Sequence, residues 1–212
     1  MTPTLAVPAR AFLGTCATAA ILALLAGLAV GPSVGAQPGS AADVTVRLET
    51  DAGPIDIVLQ PSKAPKTVAN FLRYVDGRYY DGGVFHRAVR LDNQVRKDVR
   101  IEVVQATIAP GKRPFPAIPL ERTSISGLRH VDGTVSMGRI AEDSGRTDFF
   151  VCIGDQPSLD FGGARHGDGQ GFAAFGRVVN GMDVVRRIQA LETDEQEHIK
   201  VPVVIRRARR LR

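Results

Sequence analysis

Three short stretches carry residues whose types and spacing allow chemistry. Val84-Phe85-His86-Arg87 places an arginine after an aromatic residue. Gly133-Thr-Val-Ser-Met-Gly-Arg139 follows about fifty residues later, and Phe149-Phe150-Val-Cys-Ile153 ten residues after that. Each reads as a buried strand or its edge, because short apolar β-formers are bounded by glycine. Arginine keeps its charge at any ordinary pH and carries several donors. If the strands lie side by side, Arg87 projects over an apolar floor that includes Phe150. A guanidinium above an aromatic pocket suits a neutral substrate with an apolar ring and an amide.

With these stretches in view, the chain resembles the cyclophilin family of peptidyl-prolyl cis-trans isomerases. The resemblance rests on Phe85-His86-Arg87, Gln105, Gly133-Thr-Val-Ser-Met137, Phe149-Phe150, Leu159-Asp160 and Phe175-Gly176-Arg-Val-Val-Asn-Gly-Met182, in the family's order and roughly its spacing. It covers about residues 44–206. It implies a mainly β fold, a closed eight-stranded antiparallel barrel capped by two helices, and an enzyme that rotates Xaa-Pro bonds. It also implies that Arg87 is the catalytic donor. Phe150 and Leu159 would hold the proline ring, Gln105 would bind the peptide near its carbonyl, and Met137-Gly138-Arg139 would form a backbone rail. Phe85, His86, Asp148 and Phe172 complete the expected substrate-binding set. The partners implied are proline-containing segments of unfolded or folding proteins, with neither cofactor nor metal. The other reading of the same fold is a weak or inactive module that binds proline peptides, with Arg87 only an anchor.

Several positions depart from the family pattern. Gly138 and Arg139 stand where Ala-Asn is common, and Ala106-Thr107 where two glycines usually follow the glutamine. The large apolar pair before that glutamine falls near Glu102 and Val103, which predicts a thinner hydrophobic wall. A tryptophan found in many members falls near Ser158, and a pocket histidine near Phe172. Asp148 replaces a glutamine. A carboxylate there is expected within reach of Arg87, where it would orient the guanidinium and soften its field, unless Arg139 draws it away.

The elements that must position these residues are short. Val44–Thr50 alternates apolar and polar residues, Asp51-Ala-Gly53 turns, and Ile55–Leu59 alternates again, predicting an antiparallel hairpin. Pro65 fits a first helical turn, and Val68, Phe71, Leu72 and Val75 form one stripe ending near Gly77. Further strands are expected at Val84–Arg87, Ile101–Thr107, around Met137 and Phe150, at Phe172–Val179 and around Val201–Ile205. Met182, Val185 and Ile188 mark a second helix after the turn Asn180-Gly181. Arg90–Arg100, the proline-rich Pro110–Pro119 and the glycine-rich Asp160–Gly171 read as loops. Many short strands without a βαβ rhythm argue for a barrel or sandwich, a choice that pattern alone leaves open.

Residues 1–36 are of different material. Arg10 is their one charge, and Ala11–Val30 is almost entirely small or apolar. Val34 and Ala36 put small residues where a signal peptidase reads, so a secretory leader cleaved after Ala36 is expected, with an uncleaved membrane anchor as the alternative. Residues 37–43 then form a short lead-in, 44–206 the domain, and 207–212 a basic tail. An exported monomer, periplasmic or secreted, follows, with no stable membrane association and no nucleic-acid partner. The formal charge of +5 sits largely in Arg206-Arg207-Ala-Arg209-Arg210-Leu-Arg212, read as a solvated end.

Of two cysteines, Cys16 would leave with the leader, and Cys152 between Val151 and Ile153 reads as an inert core thiol. Other classes lack their parts. Gly167-Asp-Gly169-Gln-Gly171 has no strand–loop–helix setting for a phosphate and no regular carboxylates for calcium. His130, His166 and His198 show no ligand spacing, Asp160-Phe-Gly162 has no other kinase motif, and Ser136 has no glycine elbow.

Overall fold

The computed structural model describes residues 42–211, so the leader and its cleavage point lie outside the described residues. The described residues form eight strands: β1 Val44–Thr50, β2 Gly53–Leu59, β3 Gly83–Val89, β4 Val103–Thr107, β5 Thr134–Met137, β6 Phe149–Cys152, β7 Ala173–Asn180 and β8 His198–Arg210. They close into an antiparallel barrel in the order β1-β2-β7-β5-β6-β4-β3-β8. The expected hairpin is β1–β2, with Val46 opposite Ile57 and Leu48 opposite Ile55.

Helix α1, Pro65–Asp76, buries Val68, Phe71, Leu72 and Val75, the stripe expected from sequence. Phe71 reaches from it into the barrel and meets Phe149 edge-on at 5.3 Å and Phe175 at 5.2 Å. A four-residue helix, α2 Thr123–Ser126, is too short to show periodicity in the sequence. Helix α3, Met182–Gln189, buries Val184, Val185 and Ile188. Gly181 joins β7 to α3 at φ +91°, and a Cβ there would lie 2.4 Å from the Pro54 carbonyl oxygen, so only glycine fits the turn.

Two apolar clusters divide the strands' faces. The barrel interior holds Leu48, Ile57, Phe85, Val104, Ala106, Phe149, Val151 and Phe175. A second cluster lies outside the barrel wall and joins Val89, Ile101, Val103, Phe150, Cys152 and Leu159, with Phe172 packed on it. β6 therefore buries both faces, which is why Phe149–Cys152 is a continuous apolar run rather than an alternation, while β4 does so only over Val103 and Val104 before Gln105 and Thr107 turn half-buried toward the outside. Cys152 belongs to the outer cluster, and burial pushes its thiol well above the ordinary range, away from thiolate reactivity.

The C-terminal end corrects one boundary. Arg207–Arg210, expected in a solvated tail, form the end of β8 and pair with Val46–Glu49 of β1. Their backbone groups complete the barrel, and their side chains find acids: Arg209 pairs with Glu49 at 3.0 Å and Arg210 with Asp76 at 2.5 Å.

Candidate active site

Arg87 owes its direction to an irregularity in β3. Phe85 pairs with Ala106 and Arg87 with Gln105, so the register shifts between Phe85 and Arg87, and His86 is the extra residue. Without that shift, residues two apart would share a face. With it, Phe85 points into the barrel, fully buried, and Arg87 points outward over the second cluster.

Beneath Arg87 lies a cavity of about 240 Å³ lined by Ile101, Val103, Gln105, Phe150, Leu159 and Phe172. Gly138, Arg139, Ile140 and Arg165 form its rim. A larger cavity of about 390 Å³ beside Val58, Arg129 and Arg177 has no aromatic floor, so size does not choose the site. The cavity's own floor is held from behind. Phe150 stacks on His130 at 6.0 Å and meets Phe172 edge-on at 5.4 Å. His130 Nδ1 lies 2.7 Å from Asp160 and its Nε2 lies 2.9 Å from Ser136 Oγ. This Asp-His-Ser order resembles a hydrolytic relay, but Ser136 is fully buried and no substrate can reach it. Burial pushes the Asp160 carboxyl up, yet the His130 hydrogen bond and charge outweigh it and leave it below the usual carboxylate range.

The guanidinium of Arg87 is fixed on two sides. Its Nε and Nη2 donate to Glu197, whose side chain is buried, and Nη1 donates to Gln105 Oε1 at 3.1 Å. Glu197 sits at φ +69°, an uncommon conformation for a residue with a side chain. Its other oxygen accepts the Val95 N–H at 2.8 Å and so ties the Arg90–Arg100 loop to the site.

The structure brings together Arg87, Gln105, Gly138, Arg139, Phe150, Leu159 and Phe172 of the expected set. It does not bring the others into the cavity. Phe85 is a barrel-core residue 6.1 Å from Phe149, and Met137 is 3 % exposed in the same core. His86 lies toward Asp148, with Nε2 4.0 Å from that carboxylate. Asp148 lines the neighbouring cleft with Thr147, Arg146 and Ser144.

The expected Arg87–Asp148 pair is absent. Asp148 accepts from Gln105 Nε2 at 3.0 Å, Thr107 Oγ1 at 2.6 Å and Thr147 Oγ1 at 2.9 Å. Arg139 does not draw Asp148 either. It donates to Asp168 at 2.7 and 2.8 Å and to the Gly171 carbonyl at 2.7 Å, with its guanidinium 5.1 Å from the Phe172 ring centre. The Arg139 hydrogen bonds hold the Asp168 carboxyl well below its usual range. The expected thin wall is also corrected. Glu102 turns away to accept from Gln189 Nε2 at 3.3 Å, while Ile101 and Val103 supply the apolar side. Ile101, Val103 and Gln105 share one face by the period of two, a signal present in the sequence. Glu197 had no such signal, since it lies 110 residues from Arg87.

Known proteins bear on this geometry. The family model described as cyclophilin type peptidyl-prolyl cis-trans isomerase matches residues 45–210. The chain is 32% identical over 196 residues to peptidyl-prolyl cis-trans isomerase A of Dickeya dadantii, covering 90% of this chain and 95% of that one. It is 36% identical over 161 residues to a peptidyl-prolyl cis-trans isomerase of Streptomyces antibioticus, covering 75% and 92%. Among solved structures, a Cryptosporidium parvum cyclophilin type isomerase superposes with a TM-score of 0.66 at 18% identity, covering 81% of this chain and 99% of that one. The same Cryptosporidium protein in the presence of the dipeptide Ala-Pro gives 0.62 at 18% identity, covering 77% and 96%. With its closed barrel and these relatives, the chain belongs to the cyclophilin family and is a peptidyl-prolyl cis-trans isomerase.

Proposed function

We propose that Arg87 is the residue that carries the isomerase reaction, with the proline ring on Phe150, Leu159 and Phe172. Amide resonance opposes rotation with a barrier of ~18–20 kcal/mol. As the bond twists, the prolyl nitrogen pyramidalises and regains its lone pair. A donor that binds this lone pair better in the twisted state than in the planar one lowers the barrier without any covalent step. The observation that carries the reading is the Arg87 guanidinium, held by Glu197 and Gln105 over a cavity of about 240 Å³ with an apolar floor. The Ala-Pro dipeptide of the Cryptosporidium relative supports a proline-containing ligand for this cavity.

The test is a protease-coupled assay on Xaa-Pro peptides. Arg87→Ala should lose on the order of 10²–10³ in rate. Because it leaves the buried Glu197 unpaired, Arg87→Lys is needed beside it: lysine keeps the countercharge but lacks the planar fork. A folded Arg87→Lys protein, checked by circular dichroism, should remain far below wild type. Wild-type rates there would show that the planar fork is not needed, and near-wild-type rates in a folded Arg87→Ala protein would remove Arg87 from the mechanism.

The clients we propose are exported proteins, with the enzyme a soluble monomer outside the cytoplasm. The reading is supported by the leader, with Arg10 its one charge and Val34 and Ala36 at the cleavage positions. Mass spectrometry of protein recovered from its host should find Gln37 at the N-terminus. Intact Met1–Ala36 in a membrane fraction would show an anchor instead.

A further inference from the structure

Three guanidinium groups line the proline cavity: Arg87, Arg139 and Arg165. Two have carboxylate partners, Glu197 for Arg87 and Asp168 for Arg139. Among the described residues, Arg165 has none within 4.0 Å. Its Nη1 donates only to neutral oxygens, the Val99 carbonyl at 2.5 Å and Gln94 Oε1 at 3.4 Å. A half-buried cation beside other cations normally finds an anionic partner, because desolvation and like charge both oppose it. Burial, then the charge of Arg87, push the Arg165 guanidinium below its ordinary range, and the more distant carboxylates of Glu197 and Asp98 offset only part of that.

Arg165 is held in place rather than left free. Its N–H donates to the Ser158 carbonyl at 3.1 Å, and its carbonyl accepts from Arg96 Nη1, which joins the two loops flanking the cavity. Gln94 beside it is buried, and its Nε2 has no acceptor. Donors are therefore in surplus at this end of the site. The opposite end is different: Gln105 already faces the carboxylate of Asp148. Arg165, without a carboxylate partner, thus lines the cavity that Ile101 and Val103 also line, whereas the neighbouring cleft past Gln105 holds both Asp148 and Arg146.

We propose that Arg165 is a specificity residue that receives the carboxylate of an acidic side chain next to the proline, so that preferred substrates carry Asp or Glu at a flanking position. This rests on the isomerase reading of the same cavity. The test compares kcat/KM and binding for two peptide series, one varying the residue before proline and one the residue after it, as Ala, Glu or Lys. Glu in one of the two positions should exceed Ala by about three- to tenfold, the return of a partly exposed ion pair, and the gain should shrink in high salt. Arg165→Gln keeps an amide donor for the Val99 carbonyl and should bring the Glu/Ala ratio to about one. Arg165→Lys should retain part of it. If Ala peptides are turned over but Glu gives no advantage, or keeps it in Arg165→Gln, the assignment to Arg165 fails while the isomerase reading stands. If no peptide is bound or turned over, both fail.

Discussion

A guanidinium has five N–H donors. In Arg87, Glu197 takes the Nε–H and one on Nη2, and Gln105 takes one on Nη1, so the remaining donors are aimed rather than free to wander. The carboxylate expected to soften this arginine exists, but it is Glu197 and not Asp148. Asp148 acts at one remove. It accepts from the amide of Gln105, which turns the Gln105 carbonyl oxygen toward Arg87. Asp148→Ala removes that acceptor, lets the amide flip, and should lower kcat/KM by about three- to tenfold, the cost of one misplaced positioning contact. Asp148→Asn should stay within about twofold of wild type. Its oxygen can still face Gln105, while the hydroxyls of Thr107 and Thr147 rotate to accept its N–H groups. An unchanged Ala variant, or a severalfold faster Asn variant, would show that Asp148 does not orient Gln105 in this way.

At the scale of elements, what the sequence revealed followed from local period. The β1–β2 hairpin, the stripe of α1 and the apolar face of α3 each repeat at the spacing their geometry demands, so they were legible from residue order alone. The floor residues Phe150 and Leu159 were legible through family motifs. Arg87 was expected over a floor that includes Phe150, but the register shift at His86 that aims it there was not legible, because a strand pattern assumes strict alternation. Phe85 entered the expected set through the Phe85-His86-Arg87 motif, and the same register shift turns it into the barrel core instead. Loop residues were hidden for another reason. Glu197 and Arg165 reach the site across separations of 110 and tens of residues, on segments with no period at all. The glycine-rich loop read as a plain surface turn instead carries both Asp168, which anchors the rail arginine, and Arg165. Gly171 closes that loop at φ +66°, where a Cβ would lie 2.5 Å from the Asp160 carbonyl carbon.

For the whole molecule, the same irregular strand sets a cost in acid. Burial lowers the pKa of His86 from 6.5, the charges of Arg87 and His198 lower it further, and Asp148 offsets part of the shift. Its Nδ1 is buried, and Asp148 and the Val84 backbone return only part of what burial takes from the charged form. The folded protein thus binds that proton more weakly than the unfolded chain does. As pH falls below about 6.5, the unfolded chain takes up the proton first, and stability declines until the folded-state pKa is passed. The carboxylates act in a lower window. Asp56, held down by the Arg47 hydrogen bond, and Asp168, held down by Arg139, contribute stability at neutral pH that is lost only as pH drops below their ordinary value of 3.8. The thermal midpoint should therefore fall in two separated stages between neutral pH and pH 3. His86→Gln cannot titrate, so it should flatten the stage between pH 7 and about 5 and leave the acid stage in place. Calorimetric unfolding of both proteins across that range checks this, and an equal decline above pH 5 in His86→Gln would place the upper stage in another group.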